Sequence, residues 1–203
     1  MKDEELIASA EKLKASCYSC KECHLGKTKL DGFDPHVFAV GNVCADIMVL
    51  AEAPGLDETK QREPLVGRSG KLFNKMILGG LGLKRNDVWI TNTVLCRPPK
   101  NRNPISFEVE TCSIHFSNQV NLIKPKVIIT LGAVPLKFLT DISGGITKIA
   151  TKVLRSDKYD TDVFPMLHPS YIMRAAKYDL LKEHVVSLKK YLIDKNLLKE
   201  DVK

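Results

Sequence analysis

At 203 residues, with 44% hydrophobic and 27% charged side chains, the chain can bury one full core and is too apolar to be disordered throughout. No apolar run approaches the ~20 residues of a membrane span, and the start "MKDEELIASAEKLKAS" is charged, without the apolar stretch of a secretory leader. Lys and Arg number 31 against 24 Asp and Glu, and the resulting +7 suits a phosphate-rich partner as well as it suits an ordinary soluble basic protein. A reducing cytoplasm is the expected setting, and there six cysteines point to metal or chemistry more than to disulfides.

Leu6, Ile7, Ala10 and Leu13 recur at helical spacing, so a short amphipathic helix is predicted to open the chain. "CYSCKECHLGKTKLDG" breaks that period and reads as a loop. "ADIMVLAEAPG" is a buried strand that ends in a turn at Pro54 and Gly55. "GRSGKLFNKMILGGLG" reads as a glycine-rich loop entering a helix closed by Gly79 and Gly80. It is not a Walker motif, because no glycine precedes Gly70-Lys71 at the required position. Backbone N–H groups of Gly67, Ser69 and Gly70 at that helix start can meet a phosphate, with Arg68 beside them.

Further strands are predicted at "DVWITNTVL", "KVIITLGA" and "DVFPMLHPS". Val109, Cys112, Phe116, Val120 and Ile123 form one face of a helix between the first two, and Leu181, Val185, Leu188 and Leu192 mark a C-terminal helix. Strands alternating with helices imply an α/β fold whose mostly parallel sheet is covered on both faces. Ligands of such sheets sit at the carboxyl ends of the strands, which here carry "EAPG", "TN" and "HPSY". A single domain over 1–203 is expected, with a helix and cysteine loop over about 1–30 and a last helix over about 177–197.

Cys20 and Cys23 form a C-x-x-C, and Cys96 and Cys112 bracket a basic, proline-broken loop. Two close and two distant thiolates supply the four ligands of zinc or of an iron–sulfur cluster. The wide split of the second pair favours a cluster over a zinc ribbon. Cys17 competes with the C-x-x-C pair on spacing alone, and Cys44 reads as an ordinary buried thiol.

"CKECHLGKT", "AEAPGLDE", "PLVGRSGKLFNKM", "ITNTVLCRPPKNRNP", "KPKVIITLGA" and "HPSYIMR" occur in an order and spacing that resembles the iron–sulfur (family 4) uracil-DNA glycosylases, from about Cys20 to Arg174. The resemblance implies a three-layer α/β/α sandwich around a four-stranded, mostly parallel sheet. It implies a structural 4Fe–4S cluster on Cys20, Cys23, Cys96 and Cys112, with Leu25 two places after Cys23 setting the register against Cys17. It also implies hydrolysis of the N-glycosidic bond of uracil in DNA, single- or double-stranded, to leave an abasic site during base excision repair. The protein would act as a monomer at the nucleoid and need no soluble cofactor. The alternative is a cluster-bearing DNA-binding scaffold of the same fold, with lost or altered excision and tied to a polymerase or a sliding clamp.

Under the resemblance, Asn92 reads the uracil edge, His168 supplies a donor to the developing anion at O2, and Glu52 orients water or balances the sugar cation. Ala53 stands where the better-known non-cluster uracil glycosylases carry a water-activating aspartate. Glu58 falls where the family's glutamate crowds thymine's methyl group. Arg97, Lys100 and Arg102 are expected near a DNA backbone. "SYIMR" is expected either to form a loop into the minor groove, with Ser170, Met173 and Arg174 as contacts and Ile172 or Met173 as the wedge, or simply to belong to a helix that begins after Pro169. The sequence departs from the family at Leu65, where a phenylalanine usually stacks on the uracil, and at Ala51, usually glycine. Both departures bear on turnover and base range rather than on fold.

Overall fold

The computed structural model describes residues 3–29, 31–142 and 145–200. Six strands form one sheet in the order β1-β3-β2-β4-β6-β5: β1 Val40–Gly41, β2 Ile47–Ala51, β3 Trp89–Asn92, β4 Val127–Leu131, β5 Leu154–Ser156 and β6 Thr161–Met166. The four middle strands run parallel, and β1 and β5 add antiparallel edges. The expected four-stranded sheet is therefore its parallel centre. The edge strands are two and three residues long, too short to leave a hydrophobic run for the sequence to display.

Alternation along each strand divides the core in two. Val49, Ile129 and Phe164 face one layer, with Phe73, Ile77, Leu181 and Leu188 packed on them. Met48, Leu50, Ile128 and Val163 face the other, against Ala10, Phe116, Val120 and Leu136. These strands have no solvent face, which is why they read as continuous apolar runs. Each fully buried Leu, Ile or Phe contributes about 1.5–3 kcal/mol, so the two layers carry most of the stability. Trp89, the single tryptophan, is satisfied inside the second layer by donating Nε1–H to Gln119 Oε1 at 3.0 Å.

The helices are α1 Asp3–Ser19, α2 His24–Lys27, α3 Leu56–Gln61, α4 over 68–81, α5 Ser106–Ile123, α6 Ala133–Thr140, α7 Ile146–Ile149, α8 Pro169–Ala175 and α9 Tyr178–Asp194. Two differ from expectation. α1 runs on through Cys17, so only the later part of the cysteine segment lies outside it. α4 passes through Gly79 and Gly80 and carries a π-helical turn over Phe73–Leu78. Of the two expectations after His168 the helix is observed: α8 begins at Pro169, because proline suits a first helical position and the His168 side chain caps the Ser170 N–H. Cys44 is exposed, with its Sγ 3.6 Å from Asp3 Oδ1. No described helix is long and apolar enough to cross a membrane.

Candidate active site

The carboxyl ends of β2, β3, β4 and β6 deliver Glu52, Asn92, Gly132 and His168 to one cleft of about 690 Å³. The exits of β2 and β3 are tied by Thr93 N–H to the Ala51 carbonyl at 2.8 Å and by Val94 N–H to the Glu52 carbonyl at 3.2 Å. Asn92 is thereby fixed and 2% exposed, yet its Nδ2 has no hydrogen-bond partner among the described residues. A buried donor left unpaired costs about 1–3 kcal/mol. Of the described side-chain atoms left in this state, Asn92 Nδ2 is the one whose residue lines the cleft.

His168 is oriented by the helix it caps. Ser170 N–H donates to its Nδ1 at 3.1 Å, and Ser170 Oγ lies 2.8 Å from the same atom. A ring that accepts at Nδ1 must carry its proton on Nε2 when neutral. Burial, and secondarily the Arg174 charge, push its pKa down to about 4, so the ring is neutral near pH 7. The site thus holds an uncharged N–H donor.

Gly132 sits behind that ring at φ +101°, and a Cβ there would lie 3.3 Å from His168 Cβ. Gly132→Ala is expected to cost about 1–2 kcal/mol through the left-handed backbone alone. It should also tilt the His168 ring, read as a shift of the ring's nitrogen-15 signals beside thermal melting.

Burial alone raises the Glu52 carboxyl above its ordinary range, and among the described residues its side chain makes no hydrogen bond or ion pair. Ala53 lines the cleft beside it without adding a titratable group. Glu58 is more engaged than the sequence suggested: Oε2 accepts from Gly55 N–H at 3.0 Å and Oε1 from Gly67 N–H at 3.3 Å. It joins the two loops that rim the cleft. Leu65 is buried, lines the cleft, and holds φ +54°, a region that costs an L-residue strain. Gly70 packs so closely on it that a Cβ would stand 1.8 Å from the Leu65 carbonyl oxygen. Gly70 therefore serves this close approach, while Arg68 and Ser69 line the cleft at the start of α4.

The basic residues divide. Arg97 was expected beside DNA but its side chain is 8% exposed, with Nη1 2.6 Å from Asp31 Oδ2 and Nε donating to Asn101 Oδ1 at 2.8 Å. It is spent on bracing its own loop. Arg102 lines the cleft but forks onto the fully buried Glu108, Nη1 to Oε2 at 2.9 Å and Nη2 to Oε1 at 2.6 Å. Lys100 is exposed at φ +55°. Arg174 lines the cleft, whereas Met173 is half-buried on α8 outside it and Ile172 is core. Ile172 is thereby removed as a wedge. Sequence reasoning missed Tyr171, which also lines the cleft and whose hydroxyl accepts from Lys177 Nζ at 3.2 Å. An aromatic between two predicted DNA contacts was its available signal. The strand-end glycine of "TLGA" was the signal for Gly132.

Away from the cleft, Cys17, Cys20, Cys23, Cys96 and Cys112 line one chamber. No three His, Cys, Asp or Glu side chains among the described residues converge as a single ion requires. Thiols from one short turn and from two distant segments are thus brought to one chamber, the type of donor set a thiolate-bound cluster uses. Burial first, then the neighbouring sulfurs, raises Cys96 and Cys17 well above the ordinary thiol range. Cys112 is pushed up to about 12 by burial, partly offset by Leu95 N–H donating to its Sγ at 3.4 Å. Thiols so reluctant to ionise alone fit a group that brings its own positive charge.

Residues 38–192 match the family model described as the uracil DNA glycosylase superfamily. The chain is 37% identical over 200 residues to the type-4 uracil-DNA glycosylase of Sulfurisphaera tokodaii, covering 92% of this chain and 89% of that one. It is 38% identical over 161 residues to the type-4 enzyme of Archaeoglobus fulgidus, covering 76% and 78% of the two chains. With that of Thermotoga maritima it shares 34% over 181 residues, covering 87% and 88%. A sheet whose four parallel strands end on one polar cleft, in a chain matched at this length, belongs to the uracil-DNA glycosylase superfamily and, within it, to the type-4 group.

Proposed function

We propose that the protein is a monofunctional uracil-DNA glycosylase of base excision repair, one domain over 1–203, acting on DNA at the nucleoid. The observation that carries this is the unpaired, buried Asn92 amide at a strand end beside a neutral histidine donor. A nucleotide flipped from the stack presents O2, N3–H and O4. Asn92 Nδ2–H donates to O4 and Oδ1 accepts from N3–H, a pairing that a carboxylate or an ammonium cannot make. His168 Nε2–H donates to O2. As the C1′–N1 bond breaks, its electron pair leaves with uracil and positive charge develops on the sugar. The two donors meet the anion, and the nearby Glu52 carboxyl faces the cation. Water then adds at C1′ and the proton it releases neutralises the uracil anion, leaving free uracil and an abasic site. Ala53 supplies no base, so the path is dissociative, with the barrier lowered chiefly by the fixed donors.

Cys20, Cys23, Cys96 and Cys112 would hold a 4Fe–4S cluster, which would supply cross-linking between the turn after α1, the loop after β3 and α5 rather than a chemical step. Cys17 lines the same chamber and is left as a buried neighbour. Cys96→Ser is expected to lose iron, brown colour and solubility together, read by absorption and iron content. Retention of full colour would remove Cys96 from the ligand set.

The test of function is a uracil-containing oligonucleotide, single-stranded and as U·A and U·G duplexes, treated with alkali after incubation. Alkali-dependent cleavage at the uracil is expected. Absence of product on all three would favour the scaffold reading, for which the aliphatic Leu65 wall is the specific motive. In the glycosylase reading the protein acts as a monomer on uracil-containing DNA.

A further inference from the structure

Arg85 stands outside the cleft lining, at the start of the 3-10 turn Arg85–Asp87 that leads into β3. That turn fixes its backbone, with Lys84 N–H donating to Asp87 Oδ2 at 2.7 Å and Asp87 N–H to the Lys84 carbonyl at 3.0 Å. Its guanidinium reaches the segment that forms one wall of the cleft. Nη2 donates to the Pro64 carbonyl at 2.6 Å and Nη1 to the Leu65 carbonyl at 3.1 Å. The same two nitrogens meet Glu63 Oε1 at 2.9 Å and Asn74 Oδ1 at 3.2 Å. A planar fork can take two consecutive carbonyls and two side chains at once, which a lysine ammonium cannot.

The wall needs holding. Leu65 lies at φ +54°, where an L side chain gains nothing from its own backbone. Behind it, Gly70 leaves room for the Leu65 carbonyl. On the other side of the segment Glu58 Oε1 takes Gly67 N–H. The four residues from Pro64 to Gly67 are thus pinned at both ends, and Arg85 makes the larger set of bonds.

We infer that Arg85 is a positioning residue for base selection, fixing through the Pro64 and Leu65 carbonyls the aliphatic wall against which the base is seated. This rests on the uracil-excising reading above. A stacked aromatic ring would grip a base through its π-face, and Leu65 has none. Discrimination at this wall comes instead from shape, and shape persists only while the wall is immobile.

The test compares wild type with Arg85→Gln, Arg85→Lys, Leu65→Ala and the double variant Arg85→Gln/Leu65→Ala. Excision is read on duplexes carrying uracil or 5-bromouracil, whose larger in-plane 5-substituent meets Glu58 unless the base can shift on a loosened wall. Arg85→Gln is expected to raise KM for uracil DNA about fivefold with kcat within about twofold, and to lower the uracil to 5-bromouracil preference about tenfold. Arg85→Lys should behave like Arg85→Gln. The double variant should match Leu65→Ala alone, because both changes act through one wall. Additive effects, or an unchanged preference, would overturn the inference.

A second readout needs no catalysis. Carbon-13 methyl spectra of the DNA-free protein should show Leu65 shifted and averaged in both Arg85 variants, with Ile77 and Leu78 unmoved as core references. A fixed Leu65 would overturn the inference. If wild type excises no uracil, the functional reading fails while the methyl spectra still decide what Arg85 does. If Arg85→Gln does not fold, Arg85→Lys carries both arms.

Discussion

His168→Asn is expected to lower single-turnover uracil excision by about 10²–10³-fold, about 2.7–4 kcal/mol, the scale of losing one preorganised donor to a developing oxyanion. Asparagine is the informative replacement because it still caps α8, as the His168 side chain does by accepting from Ser170 N–H. Alanine would remove both functions and add a cap loss of about 1 kcal/mol to the catalytic one. If His168→Asn melts with wild type and excises at the wild-type rate, the ring is a cap and nothing more.

The pH dependence follows from the same ring. Its folded-state pKa, about 4, lies below the ordinary histidine value, with burial the main cause and Arg174 the lesser. The unfolded chain therefore binds this proton more readily than the folded one. The ring's contribution to stability is complete above about pH 6.5 and is lost as pH falls from there toward about 4. Excision should be flat with respect to this group between about pH 5.5 and 8. It should fall on the acid side, where protonated Nδ1 can no longer accept from Ser170 N–H. An inflection near pH 6.5 that disappears in His168→Asn would show a ring that titrates at its ordinary value.

Asn92→Ala carries the second large effect, again about 10²–10³-fold in excision. Its effect on stability should run the other way. The Nδ2 donor is buried without a partner among the described residues, so removing it relieves a desolvation cost. Thermal melting of Asn92→Ala is therefore expected at or a few degrees above wild type, a stability gain bought with activity. Asn92→Asp should lose at least as much activity, because a carboxylate opposite O4 sets acceptor against acceptor. Full activity in Asn92→Ala would remove the base-reading role from this residue.

The parallel centre of the fold was legible because its strands are buried on both faces and bounded by turns. The edge strands were not, since Val40–Gly41 and Leu154–Ser156 are held by pairing to a neighbour rather than by a pattern of their own. Asn92, Glu52 and His168 were legible as chemistry-bearing residues at strand ends, the one place where an α/β sheet gathers a site. What the sequence could not show was how side chains are spent. Arg97 and Arg102 look identical as basic loop residues, yet one is buried on Asp31 and the other forks onto Glu108 from the cleft wall. Glu58 reads as a residue set against a base methyl group, and nothing in the sequence shows that it also braces two loops. Tyr171 and Gly132 depend on which face of a helix or turn meets the cleft, and only the packed structure decides that.

The most direct measurement is nitrogen-15 NMR of the Asn92 side-chain amide and the His168 ring, first in free protein and then with uracil and abasic-site DNA bound together. In the free protein His168 should show a neutral ring protonated at Nε2 at pH 7. On binding, the Asn92 Nδ2–H and His168 Nε2–H signals should both move downfield, as two donors that acquire acceptors at O4 and O2. A charged or Nδ1-protonated His168, or uracil bound with neither signal moved, would contradict the reading of this cleft as the place where the base is held and released.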